Sequence, residues 1–169
     1  TARALDNKHY ALVSGQKALN EHFTRQNIKA TAELLDFGMY RAQYALPDKL
    51  PLVSLIIPTR NQVALLKKCI KSILQKTTYQ NYEILLMDNG SDCPATVSFF
   101  EELEAVSKIR IITDHSPFNY SALNNKAVKL TKGEILGLIN NDVEVISPEW
   151  LAEMVSHALR PCVGAVGSR

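Results

Sequence analysis

The 169-residue chain lacks most features that would announce a compartment or a cofactor. Its three cysteines, Cys69, Cys93 and Cys162, stand far apart without the paired spacing of zinc sites or redox couples, and read as reduced structural thiols. His9, His22, His115 and His157 show no metal-binding spacing either; only His115, in a loop ahead of an expected helix, lies near candidate chemistry. No G-x-G-x-x-G follows the first buried strand and no G-x-x-x-x-G-K-S/T occurs anywhere, which leaves a dinucleotide oxidoreductase poorly supported. No apolar run approaches the roughly 20 residues of a membrane helix, and the opening Thr1-Ala2-Arg3-Ala4-Leu5-Asp6 has no apolar signal core, so the chain reads as soluble and unexported. A net charge of +2 with 21% charged residues and no charged tail gives no footprint for nucleic acid.

What is present is a 46% hydrophobic composition, enough for one main core with an appended segment. Over residues 1–50 the pattern predicts a helix from Tyr10 to Gln26, with Leu12, Leu19 and Phe23 on one face and Gly15 as a weak spot inside it. Thr31–Leu35 and Met39–Tyr44 follow as a hairpin around Asp36-Phe37-Gly38, and the prolines of Pro47-Asp48-Lys49-Leu50-Pro51 mark a linker. From residue 51 to 169, apolar runs alternate with amphipathic stretches. Strands are expected at Val53–Ile57, Tyr82–Met87, Ile109–Ile112 and Glu134–Ile139. Helices are expected at Asn61–Lys76, Pro94–Ser107, Asn119–Leu130 and Pro148–Leu159. The βαβαβαβα order implies an α/β fold with a mostly parallel sheet, helices on both faces and right-handed crossovers. The closing Val163–Arg169 reads as a further strand beginning, as though the chain were part of something longer.

The most informative stretch is Leu138-Ile139-Asn140-Asn141-Asp142-Val143. Its unbroken apolar run suits a strand buried on both faces, and its polar burst falls at the carboxyl end, where open α/β sheets bind ligands. Asp142 is the first candidate for a hard cation such as Mg²⁺ or Mn²⁺, which meets proteins through one or two carboxylates plus substrate phosphates. An ordinary Asx turn ending a strand is the competing reading. The other strand ends, Pro58-Thr59-Arg60-Asn61 and Asp88-Asn89-Gly90-Ser91-Asp92, can converge on the same crevice. Asp88 could accept from a pyrimidine ring N–H, and Thr59 and Arg60 could contact base or phosphate. Asp92 reads as a helix cap, and Lys67, Lys68 and Lys71 as a solvated face. The helix opened by Asn119 or Ser121, carrying Asn124 and Asn125, could turn its N-terminus toward an anion.

Taken in order and spacing, Val53–Asn61, Met87–Asp92, Asn125 with Gly133-Glu134, and Asn140-Asn141-Asp142 resemble the family 2 glycosyltransferases of GT-A fold, in particular the bacterial branch that builds O-antigen and related surface polysaccharides. The resemblance implies a Rossmann-like sheet and an enzyme that transfers sugar from a nucleotide-diphosphate sugar to a glycan or lipid-linked acceptor, with inversion and with Mn²⁺ or Mg²⁺. It places Pro58, Thr59, Arg60 and Asp88 around the nucleobase, adds Asn125, Asn140 and Asn141 to the nucleotide-contacting set, and gives the metal to Asp142. Asn140 departs from the family by standing in the first acidic position of its DxD motif, and Asn124 stands where the family carries an arginine. UDP or dTDP fits a pyrimidine-reading aspartate, and guanosine remains open.

The family's catalytic base lies beyond a fourth helix and a further strand, where none of Asp88, Asp92 or Glu144 falls, so the catalytic residue stays unassigned and the chain is expected to bind nucleotide without transferring sugar. Its expected setting is the cytoplasm, with peripheral attachment at the inner face of the cytoplasmic membrane compatible with it, among further domains of a parent chain. A non-catalytic nucleotide-sugar-binding or scaffolding module is the alternative. A signalling receiver domain ranks lower, since Pro58-Thr59-Arg60 supplies no acidic cluster.

Overall fold

The computed structural model describes residues 2–167, which form two compact units, Thr1–Asp48 with Ala152–Arg169, and Lys49–Leu151. In the first, helix α1 (Ala2–Arg25) precedes an antiparallel pair, β1 (Ala30–Leu34) and β2 (Tyr40–Tyr44). The helix begins earlier than its apolar spacing predicts; the Ala, Arg, Leu and Lys residues of its first turns have high helix propensity. Asn20 gives β1 a substitute edge, its Oδ1 accepting from Ala32 N at 2.8 Å while Gln16 Nε2 donates to Ala32 O at 2.9 Å. Gly15 is a point of close approach: a Cβ there would lie 2.2 Å from the hydroxyl of Tyr40, which donates to Leu12 O.

In the second unit, four parallel strands stand in the order β5-β4-β3-β6: β3 (Val53–Thr59), β4 (Tyr82–Asp88), β5 (Ile109–Thr113) and β6 (Ile135–Leu138). Between them run α2 (Val63–Lys76), α3 (Pro94–Glu104) and α4 (Tyr120–Val128); α5 (Trp150–Ala158) follows β6, its residues from Ala152 onward belonging to the first unit. Leu55, Ile56 and Ile57 of β3 and Ile84, Leu85 and Leu86 of β4 are fully buried, as expected for central strands. Each such side chain contributes about 1.5–3 kcal/mol through burial. Ile56, Leu85, Met87 and Ala127 form one cluster, which Ile112 joins.

Three expectations are corrected. The strand before Asn140 is not buried on both faces. β6 is an edge strand whose residues alternate, leaving Leu136 42% and Leu138 55% exposed, because only one face meets the sheet's own core. Asp92 does not cap α3; Cys93 holds the cap position without a side-chain bond, and Asp92 turns to Asn61 instead. Residues 163–167 form no strand, since no strand of either sheet pairs with them, while Ser168 and Arg169 lie outside the described residues.

Candidate functional site

Parallel strands deliver all their carboxyl ends to one edge. Thr59 of β3 stands opposite Asp88 of β4, and Asp88 opposite Thr113 of β5. The ladders continue one step further, Asn89 N donating to Thr59 O at 2.8 Å and Asp114 N to Asp88 O at 2.7 Å. On the other side of β3, Ile139 N donates to Ile56 O, which brings Asn140, Asn141 and Asp142 to the same edge.

Three asparagine side chains staple this edge together. Asn141 Nδ2 donates to Thr59 Oγ1 at 3.0 Å, joining the loop after β6 to β3. Asn61 joins the loop after β3 to the one after β4: its Oδ1 accepts from Asp92 N and Cys93 N, its Nδ2 donates to Asp92 Oδ1, and its own N–H donates to Ser91 Oγ. Asn89 Nδ2 donates to Asp114 O and Ser116 O, joining the loops after β4 and β5. An amide suits this task because it carries donors and an acceptor on one short, rigid group. The bonds of Asn61 also account for its backbone, since Asn61 and Gln62 both take left-handed φ values, 54° and 53°, that non-glycine residues hold only when their surroundings over-determine them.

The predicted residues distribute as follows. Thr59 and Asp88 are 4% exposed; Asp88 Oδ1 accepts from Ser91 N at 2.9 Å, which orients the carboxylate and occupies one oxygen. The turn that allows this bond passes through Gly90 at φ +69°. Pro58 is partly buried on β3, Arg60, Asn125, Asn140 and Asp142 are exposed, and Asn141 is half-buried through its bond to Thr59. Asn119 caps α4 through Ala122 N. Asn124 is buried with its Nδ2 donating to Tyr120 O, so it is turned into its own helix rather than out toward a ligand.

Two sets of residues escape sequence reasoning. Lys126 and Ser116 both donate to Asp114, whose carboxyl they hold well below the usual carboxylate range. Beneath the Asn140–Asp142 loop lies Cys69 of α2, fully buried, its thiol 3.7 Å from Asn140 O; burial, and next the charge of Asp142, push that thiol up to about 11. Ser72 Oγ accepts from Val145 N at 3.0 Å, one turn further along α2. The available signal was Ser72 itself, a polar residue between Ile70 and Ile73 on the apolar face of the helix.

No group of three His, Cys, Asp or Glu side chains able to hold a metal ion occurs among the described residues. The edge therefore offers no all-protein metal cage. A single exposed carboxylate, Asp142, does fit a cation whose other ligands are phosphate oxygens and water.

Residues 54–169 match the model of Glycosyl transferase family 2. The chain belongs to that family. It is 45% identical over 166 residues to the protein y4gI of Sinorhizobium fredii and 40% identical over 159 residues to the O-antigen biosynthesis protein RfbC of Myxococcus xanthus. Those matches cover 96% and 94% of this chain but 18% and 12% of the relatives, so the chain spans less than a fifth of either. Among solved structures, a mannosyltransferase of Pyrobaculum calidifontis in complex with GDP-Man and Mn²⁺ superposes with a TM-score of 0.64 at 18% identity, covering 96% of this chain and 44% of that one. TarS of S. aureus, residues 1–349, in complex with UDP-GlcNAc gives 0.53 at 20% identity over 63% of this chain and 30% of its own. These likenesses fix the fold as GT-A.

Proposed function

We propose that the stapled edge is the donor site of a metal-dependent, inverting glycosyltransferase that takes sugar from a nucleotide-diphosphate sugar to a polysaccharide or glycolipid acceptor. The observation that carries the reading is the convergence of Thr59, Asp88 and the Asn140–Asp142 loop at one carboxyl edge, with a buried, oriented carboxylate at Asp88 and an exposed one at Asp142. Asp88 would read the base, with Pro58, Thr59 and Arg60 beside it; Asn125, Asn140 and Asn141 would border the ribose and phosphates. Asp142 would hold Mn²⁺ or Mg²⁺. When bound, that ion neutralises charge growing on the departing diphosphate.

None of the nearby carboxylates suits the general base. Asp88 is buried, Asp92 is tied to Asn61, and Glu144 is held below the usual carboxylate range by Lys68 and Lys76. No helix among the described residues is long and apolar enough to cross a membrane. On this reading the enzyme sits in the cytoplasm, peripheral at the inner face of the cytoplasmic membrane, with a glycan or lipid-linked acceptor. The neighbours solved with GDP-Man, UDP-GlcNAc and UDP support a nucleoside diphosphate as the recognised moiety.

Calorimetric titration with UDP, dTDP and GDP, with and without Mn²⁺, tests the reading. One nucleotide is expected to bind in a Mn²⁺-dependent manner, and Asp142→Ala is expected to remove the Mn²⁺ dependence without unfolding an exposed site. A folded chain that binds none of the three would instead favour a scaffolding role.

A further inference from the structure

Asp142 is exposed, in a loop that departs from an edge strand and is tied to the sheet by the Asn141–Thr59 bond; its further anchors lie off the sheet. Helix α2 supplies the contacts. Cys69, Ser72 and Lys76 recur at i, i+3 and i+7, on one side of the helix. The Cys69 thiol donates to Asn140 O at 3.7 Å, and Val143 N donates to the same carbonyl at 3.3 Å. Ser72 Oγ accepts from Val145 N while donating to Cys69 O at 2.9 Å, so both hydroxyl functions are used in a buried place. Lys76 Nζ donates to Val145 O at 2.7 Å and pairs with Glu144 at 3.4 Å; Lys68 pairs with the same carboxylate at 3.2 Å. Apart from the Ser72–Cys69 bond within the helix, these bonds hold loop backbone or Glu144, and none uses the Asp142 side chain.

We propose that α2 is a clamp for the cation-bearing loop, with Cys69, Ser72 and Lys76 as positioning residues that hold Asp142 where a cation and diphosphate need it. The inference rests on the donor-site reading and deepens it by assigning residues that never meet the ligand. A buried thiol and hydroxyl serve better than longer polar groups here, because each offers a short, stiff reach and leaves no charge to be solvated.

The test measures affinity for UDP, dTDP and GDP by calorimetry, with and without Mn²⁺, in the unmodified chain and in Ser72→Ala, Cys69→Ala and Lys76→Met. Each variant is expected to lower Mn²⁺-dependent affinity by about three- to tenfold, the effect of one lost hydrogen bond, while leaving Mn²⁺-free affinity unchanged. In an Asp142→Ala background the same changes are expected to have no further effect. Lys76 is exposed, so its variant keeps the test open should a buried substitution impair folding. Binding by the unmodified chain that the variants leave unaltered, or weaken equally with and without Mn²⁺, would overturn the clamp alone. No Mn²⁺-dependent binding by the unmodified chain would overturn the donor-site reading and the clamp with it.

Discussion

Asn141 Nδ2 and Thr59 Oγ1 meet at 3.0 Å although 82 residues separate them in the chain. Their bond joins the last residue of the central strand to the loop that carries Asp142. In it the buried Thr59 hydroxyl is the acceptor, so Thr59 can act on a ligand through Asn141 as well as through its own O–H.

Thr59→Val tests that route. Valine keeps the β-branched shape a strand favours and removes the hydroxyl that accepts from Asn141. Mn²⁺-dependent nucleotide affinity is expected to fall about three- to tenfold, with a change in folding stability of no more than about 1–2 kcal/mol. Calorimetry alongside urea denaturation separates the two effects.

Gly133→Ala is expected to destabilise the sheet without touching the donor edge. A Cβ at Gly133 would lie 2.6 Å from Ser54 N and 2.8 Å from Leu52 O, backbone atoms that cannot swing aside. Overpacking of this kind costs about 1–3 kcal/mol, read from the urea midpoint. An unchanged midpoint would show that the approach is relaxed in solution.

Glu83 governs part of the acid limb of stability. Burial raises its pKa, but the Ser54 hydroxyl, Lys132 N–H and Arg110 together outweigh burial and hold the carboxyl below its ordinary value. A depressed folded-state pKa stabilises fully above the unfolded value of about 4.3, and that contribution is lost as pH falls toward the folded value. Glu83→Gln should therefore flatten the decline in unfolding free energy below about pH 4.5, measured by urea titrations across pH 3–6.

The sheet was legible because its signals are redundant. Val53–Ile57 is mostly apolar, rich in β-branched residues and followed by turn residues, and Tyr82–Met87 is likewise mostly apolar and followed by turn residues. The edge position of β6 was not legible: Ile135-Leu136-Gly137-Leu138 is as apolar as a central strand, and nothing local distinguishes a strand with one neighbour from a strand with two. At the site, residue types pointed correctly to one edge, yet the division of labour among the asparagines did not. Asn61, Asn89 and Asn141 are chemically identical in sequence, and only their long-range partners mark them as staples. The same holds for Asp92, whose capping geometry was taken up by Asn61 across 31 residues.

The order β5-β4-β3-β6 also carries a kinetic consequence. β3 finds β4 across one helical crossover, whereas β6 reaches β3 only after α2, β4, α3, β5 and α4 have been synthesised and set aside. Long loops close late because the chain must surrender more freedom before any contact rewards it. Pulse-labelled hydrogen exchange during refolding should accordingly protect the β3–β4 amides before those of Ile135–Leu138 and Val145. The α2 contacts would then act on the Asp142 loop as a final latch, closing over a half-sheet already in place.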